Sequence, residues 1–254
     1  MSLLVKITAS IVIYKEDDET LNTAINSFLQ YPFSKKIYVV DNSPTDCMYN
    51  KIKGDRIEYC FSGSNLGFGR GHNKILEHIK KESDYHLILN PDVKFESEIL
   101  EKLIFELQNN HELSMISPKV LYQNHQLQYT ARKFPSIVEL FCRFFRIFKS
   151  YTSKSEYKNQ NLEKSFYPDF IQGSFMLFKT KDLIDLNGFD ERYFLYMEDV
   201  DLCKKIYQSG KKILYEPSVE ITHTFGRGSS KNIRLFFIHI LSMIKYFMKW
   251  GFKQ

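Results

Sequence analysis

One short stretch, Tyr85-His-Leu-Ile-Leu-Asn-Pro-Asp-Val-Lys-Phe95, limits what the chain can fold into more than any other. Leu87, Ile88 and Leu89 are an unbroken apolar run, as a strand buried on both faces of a parallel sheet requires. Asn90-Pro91-Asp92 ends it, because proline has no N–H with which to continue a central strand. Asp92 is therefore presented just beyond the carboxyl end of a buried strand, where open α/β sheets bind ligands. A carboxylate at that edge is suited to hold a divalent cation against a phosphate. Taken alone, the tripeptide also reads as a plain turn.

The flanking pattern supplies the rest of an α/β fold. Ala9–Tyr14, Lys36–Val40 and Arg56–Cys60 read as strands, and Asp17–Gln30 as a helix with Leu21, Ala24, Ile25, Phe28 and Leu29 on one face. A helix running to about Lys81 precedes the central strand, and another carries Ile99, Leu100, Leu103, Ile104 and Leu107. Strands alternating with helices predict βαβ units and a mainly parallel sheet. Further strands are expected near Met115–Pro118, over Asp169–Lys179, and as two short pieces at Lys212–Tyr215 and Val219–His223. Leu121–Arg132 reads as polar and irregular, Ser136–Lys149 as an amphipathic helix, and Tyr151–Lys164 as a mobile surface loop.

Composition narrows the classes of function. The 254 residues carry a net charge of +5, too modest to point to nucleic acid. Cys47, Cys60, Cys142 and Cys203 lie far apart, match no metal spacing and fit a reduced, cytosolic chain. The stretch Met1-Ser-Leu-Leu-Val-Lys lacks a signal-peptide layout, and no apolar run reaches the roughly 18–20 residues of a membrane span.

Four features can carry chemistry. Gly67-Phe-Gly-Arg-Gly71 precedes a helix and offers either a phosphate contact through Arg70 or a tight turn. Met197-Glu-Asp-Val-Asp201 sets three carboxylates at a helix start, more than capping needs, and one of them is placed to act as general base. His223 ends a strand before a Gly/Ser-rich loop containing Arg227; it is a core or surface histidine, or a metal ligand with Asp92. Asp41 also ends a strand, and forms an Asx-turn with Ser43 or meets a ligand.

In this order the chain resembles the family 2 glycosyltransferases of the GT-A fold, in their bacterial rhamnosyltransferase-like branch. The resemblance rests on Ser10–Tyr14, Val39–Ser43, Ser64–Gly69, Leu89–Asp92, Gly173–Leu177, Gly188–Asp201 and His223. It implies a GT-A domain over residues 1–230, with a nucleotide-binding half to about 118 and an acceptor half from 119. It also implies roles. Tyr14 and Asp41 hold the nucleotide base, and Arg70 lies near the donor. Asn90-Pro91-Asp92 stands at the family's DXD motif, with asparagine replacing the first aspartate. Asp92 binds Mg²⁺ or Mn²⁺, His223 assists at the metal or diphosphate, and Arg227 sits on a closing loop. Asp199 is the catalytic base, with Glu198 beside it. The implied activity is inverting transfer from a nucleotide-diphosphate sugar, dTDP-L-rhamnose first and UDP-hexose or UDP-galactofuranose as alternatives. The implied acceptor is a polyprenyl-diphosphate-linked glycan in O-antigen or related polysaccharide synthesis. A silent nucleotide-sugar-binding subunit is the non-catalytic alternative.

Residues 231–254 form a tail of their own. On a helical projection Lys231, Arg234, Ser242, Lys245 and Lys249 share a stripe, and Leu235, Phe236, Phe237, Ile240, Leu241, Met243, Ile244, Phe247 and Trp250 cover a broad face. A basic amphipathic helix of this kind is expected on the anionic inner leaflet of the plasma membrane, making the protein cytoplasmic and peripheral. The alternative is a helix packed on the domain or against another copy.

Overall fold

The structure, a computed structural model, describes residues 5–138, 153–224 and 232–251. Helix α1 (Asp18–Leu29) follows strand β1 (Ile7–Ile13) and is capped by Asp17, whose side chain accepts from Thr20 N at 2.9 Å. Its buried residues Leu21, Ala24, Ile25 and Phe28 recur at helical spacing and lie against the sheet. Strands β2 (Ser34–Asp41), β3 (Ile57–Phe61) and β4 (Tyr85–Leu89) complete a parallel block ordered β3-β2-β1-β4. Between β3 and β4 lie α2 (Phe68–Asn73) and α3 (Leu76–Glu82), so the single helix expected there is broken at Lys74–Ile75.

The second half completes the same sheet. After β4 come β5 (Val93–Lys94), α4 (Ile99–Asn109) and β6 (Leu113–Leu121). Short β7 (Ala131–Arg132) pairs with β8 (Phe170–Ile171) in a separate ribbon. Then follow β9 (Phe175–Lys179), α5 (Thr180–Asp185), α6 (Glu198–Gln208), β10 (Lys212–His223) and α7 (Ile233–Trp250). Strand β9 runs antiparallel between β4 and β6, with Phe175 opposite Leu89. Strand β10 is parallel to β6, and its last residue, His223, pairs antiparallel with Val93 of β5.

Three local expectations are corrected. Asp169–Lys179 is not one strand: it divides around Gly173 into β8 and β9, which belong to different sheets. The two short strands at Lys212–His223 are one, with a register irregularity between Glu216 and Glu220. The described part of the segment read as a mobile loop is anchored. Tyr157 is buried with its hydroxyl donating to Asp169 at 3.1 Å, and Ser155 O accepts from Lys133 N. The helix expected over Ser136–Lys149 lies, beyond Val138, outside the described residues.

Alternation along β1 and β2 feeds two apolar layers, one on each face of the sheet. Ile7, Ala9, Ile11, Ile13, Ile37 and Val39 pack with α1 and α4; Tyr38 and Val40 pack in the layer that holds α3, α6 and α7. Thr8 and Ser10 face this second layer, where Ser10 Oγ bonds His72 Nδ1 at 2.7 Å and His86 Nε2 at 2.8 Å. Burial holds both imidazoles uncharged, pushing His86 down to about 3.

The tail helix meets the domain with one side. It packs on the domain through buried Ser242, Tyr246 and Phe247. The apolar residues are split between two sides, because Ile233, Phe237, Leu241, Ile244 and Met248 are each at least 50% exposed. Nor does the polar stripe all face water: Ser242 is buried and Lys249 bonds acidic groups of the domain.

Candidate active site

Parallel strands place their carboxyl ends at one edge, and the antiparallel β9 begins there. Tyr14 follows β1 and is 47% exposed, with Lys15 Nζ 5.6 Å from its ring centre. Lys15 N donates to Ser43 Oγ at 2.8 Å, tying the ends of β1 and β2 together. Asp41 is fully buried: Oδ1 accepts from Ser43 N at 2.8 Å in the Asx-turn, and Oδ2 accepts from the Tyr59 hydroxyl at 2.6 Å. Asn42 Nδ2 donates to Gly67 O at 2.9 Å and so holds the Gly-rich loop against β2.

That loop requires its first glycine. Gly67 has φ +83, and a Cβ there would lie 1.9 Å from Phe194 O, the same oxygen that accepts from Phe68 N at 3.1 Å. The 190s segment is thereby seated directly on the loop. Arg70 emerges from α2 and pairs with Glu191 at 3.2 Å, both side chains about half exposed.

The expected metal residues meet. Since β5 starts one residue after Asp92 and pairs with the end of β10, Asp92 Oδ1 comes within 3.2 Å of His223 Nε2. Asn90 Nδ2 lies 3.4 Å from the same nitrogen. Gln128, in the stretch read as irregular, fixes the tautomer. Its Nε2 donates to His223 O at 2.7 Å, and that carbonyl can only accept, so its Oε1, 3.0 Å from Nδ1, faces the Nδ1 proton. In the neutral ring Nε2 is the acceptor, and it faces a carboxylate oxygen. Two acceptors at that distance, buried or partly so, suit a shared cation, and adjacent ligands of an octahedral ion lie about 3 Å apart. Among the described residues no third His, Cys, Asp or Glu completes a cluster. A divalent ion fits with phosphate oxygens supplying further ligands, as Mg²⁺ commonly accepts. Glu16, not foreseen, lies close enough for the Asp92 charge, after burial, to raise its carboxyl above the usual range. Its position two residues past Tyr14 was the only sequence signal.

Asp199 reaches the same edge from the other side. It lies in the first turn of α6, and its Oδ2 accepts from Gly173 N at 3.1 Å. The next residue, Ser174, accepts from Asn90 N through its carbonyl at 2.9 Å. Two consecutive residues thus connect Asp199 with the Asn90–Asp92 turn. Burial raises the Asp199 carboxyl above its ordinary value, while bonds from Val200 N and Gly173 N oppose the rise. Glu198 is buried, its Oε2 has no hydrogen-bond partner among the described residues, and burial followed by the Asp199 charge holds it well above the carboxylate range. Arg227 lies outside the described residues. A groove of about 600 Å³ lined by Tyr85, Lys179 and Lys211 holds none of the expected site residues.

The sequence model of Glycosyl transferase family 2 matches residues 8–186, more than half of the chain. The chain belongs to this family. Among curated relatives, Rhamnosyltransferase WbbL of Escherichia coli K12 is 29% identical over 170 residues, covering 64% of this chain and 62% of that protein. The N-acetylglucosaminyl-diphospho-decaprenol L-rhamnosyltransferase of Mycobacterium tuberculosis is 26% identical over 64% of the chain and 57% of its own length. The chain therefore spans about three fifths of the length of these relatives. Among solved structures, a mannosyltransferase of Pyrobaculum calidifontis with GDP-Man and Mn²⁺ superposes with TM-score 0.64, at 15% identity, covering 97% of this chain and 65% of that one. GalNAc-T7 with UDP, GalNAc and Mn²⁺ gives 0.65 at 13% identity, over 89% of the chain and 45% of its own. These likenesses establish the GT-A fold, and the relatives place this family 2 chain in the rhamnosyltransferase-like branch.

Proposed function

We propose that this family 2 chain is an inverting glycosyltransferase that moves L-rhamnose from dTDP-L-rhamnose to a lipid-linked glycan in cell-surface polysaccharide synthesis. One observation carries the reading: Gly173–Ser174 joins the Asp199 carboxylate to the Asn90–Asp92 turn, where His223 also meets Asp92. A base and a diphosphate site on one edge are what a single displacement at an anomeric carbon needs. Tyr14 stacks on the nucleotide base, and Asp41 fixes the neighbouring end of β2 through its turn and Tyr59. Residues to about 118 hold the donor and 119–230 the acceptor.

Asp199 removes the proton of the acceptor hydroxyl as that oxygen attacks from the face opposite the leaving group, so the anomeric configuration inverts. Its raised pKa keeps it basic enough for the task. Asp92 and His223 would hold Mg²⁺ or Mn²⁺, which when bound neutralises charge on the departing diphosphate. Arg70 lies near the donor and exchanges Glu191 for phosphate.

The mycobacterial relative's name supports a lipid-linked acceptor, since a decaprenol diphosphate is a lipid-borne carrier. No helix among the described residues is long and apolar enough to cross a membrane. The outward stripe of α7, with exposed Arg234 beside it, serves to rest the protein on the inner leaflet, where such an acceptor sits.

The test is release of free nucleoside diphosphate from dTDP-L-rhamnose with a polyprenyl-diphosphate-linked acceptor and Mg²⁺ or Mn²⁺. Release only when acceptor is present is the expected result. Binding without release, across a panel of nucleotide sugars, would instead mark a silent subunit.

A further inference from the structure

The helix carrying Asp199 starts from a turn that side chains rarely adopt. Tyr196 and Met197, immediately before it, both have φ +69, in the left-handed region. Such conformations persist where the surroundings over-determine them. Here a large share of those surroundings is the tail helix. The Tyr196 ring stacks on His239 with centroids 4.5 Å apart. Ser242 Oγ donates to Leu195 O at 2.8 Å, and Lys245 Nζ to Arg192 O at 2.6 Å. One turn further, Lys249 Nζ bridges Asp190 at 2.8 Å and Asp201 at 2.7 Å, and Trp250 Nε1 donates to Asp201 Oδ1 at 2.7 Å.

Asp201 is the centre of this contact. It lies two residues past Asp199, has no solvent exposure, and also accepts from the Tyr193 hydroxyl at 3.2 Å. A carboxyl group taken fully out of water needs hydrogen-bonding partners, and losing one is strongly destabilising. Its cationic partner is on α7. The same stretch, 190–201, touches the Gly-rich loop on its inner side through Phe194 O. It is thus held between the loop and the tail.

We infer that α7 is a positioning element for the catalytic base, with Asp201, Lys249 and Trp250 as the positioning residues. This rests on the reading of Asp199 as base. The donor contacts at Tyr14 and Asp92 come from other strand ends, so loosening the tail displaces the base and leaves donor binding in place.

Trp250 is the chain's only tryptophan, so its emission reports the seating directly. In full-length protein, Lys249→Met is expected to shift emission to the red and lower kcat by about 10-fold to 100-fold. Nucleotide-sugar Kd should stay within about twofold. Lys249→Arg should restore both emission and kcat. Ser242→Ala, a milder change, should lower kcat less, with the same split from Kd. Unchanged kcat in Lys249→Met despite a red shift overturns the inference, as does an unshifted emission. A parallel loss of donor binding also overturns it, because the helix is then a general scaffold. Asp199→Asn is the control: it should keep the native emission while losing turnover. Full turnover in that variant rejects the base itself and is read independently of the tail.

Discussion

Glu198 and Asp199 are adjacent carboxylates with different surroundings, and that difference separates the roles proposed for them. Asp199 is partly exposed and accepts two backbone N–H bonds, whereas Glu198 is enclosed with one oxygen unpartnered. Because its folded pKa is raised, Glu198 contributes stability that is complete below its ordinary value of 4.5 and lost as pH rises through the folded value. Glu198→Gln has no proton to lose. Thermal melts from about pH 5 to about pH 8 should show wild type losing stability relative to Glu198→Gln as pH rises. Parallel curves for the two proteins would refute the buried neutral acid. The residue scale also marks how far sequence can be read. Asp92 and His223 were legible because each ends a strand, and strand ends of one sheet converge. Gln128 and Glu16 were not, since a polar residue in a loop carries no period or spacing that predicts its partner. Asp41 was legible as a turn former, but its bond to Tyr59 depends on β2–β3 register.

Among the elements, the tail shows most clearly where periodicity stops informing. A helical projection separates polar from apolar residues, yet it cannot say which side meets the protein. Here the docked side mixes Ser242, Lys249, Phe247 and Trp250, because the domain offers it both a buried carboxylate and an apolar layer. The outward stripe of Phe237, Leu241, Ile244 and Met248 remains for another surface. Flotation with anionic liposomes should therefore fail for a Phe237→Ser, Leu241→Ser, Ile244→Ser variant. Its unchanged Trp250 emission would show that the helix is still seated. Equal flotation of variant and wild type would reject the lipid surface, and a dimer lost only in the variant would assign the stripe to a second copy. The break in the helix before β4 and the division around Gly173 were likewise hidden. Both sit beside contacts with distant chain, Asn73 with Phe189 and Gly173 N with Asp199, which local propensity does not announce.

For the whole molecule, the alternation of strands and helices was enough to predict the parallel block, and the order of motifs was enough to predict its family. What neither announced was β9 running antiparallel between β4 and β6, since a buried strand reads the same in both directions. That strand matters for function. Just before it lie Gly173 and Ser174, the two residues that link Asp199 to the Asn90–Asp92 turn. The fold thus brings Asp199, the proposed base on a late helix, to the Asn90–Asp92 turn that follows an early strand. The measurement that tests this most directly is single-turnover sugar transfer by Asp199→Asn, with nucleotide-sugar affinity measured on the same protein. Transfer should fall by roughly 10²–10⁴ while affinity is retained. Transfer at the wild-type rate would contradict the account.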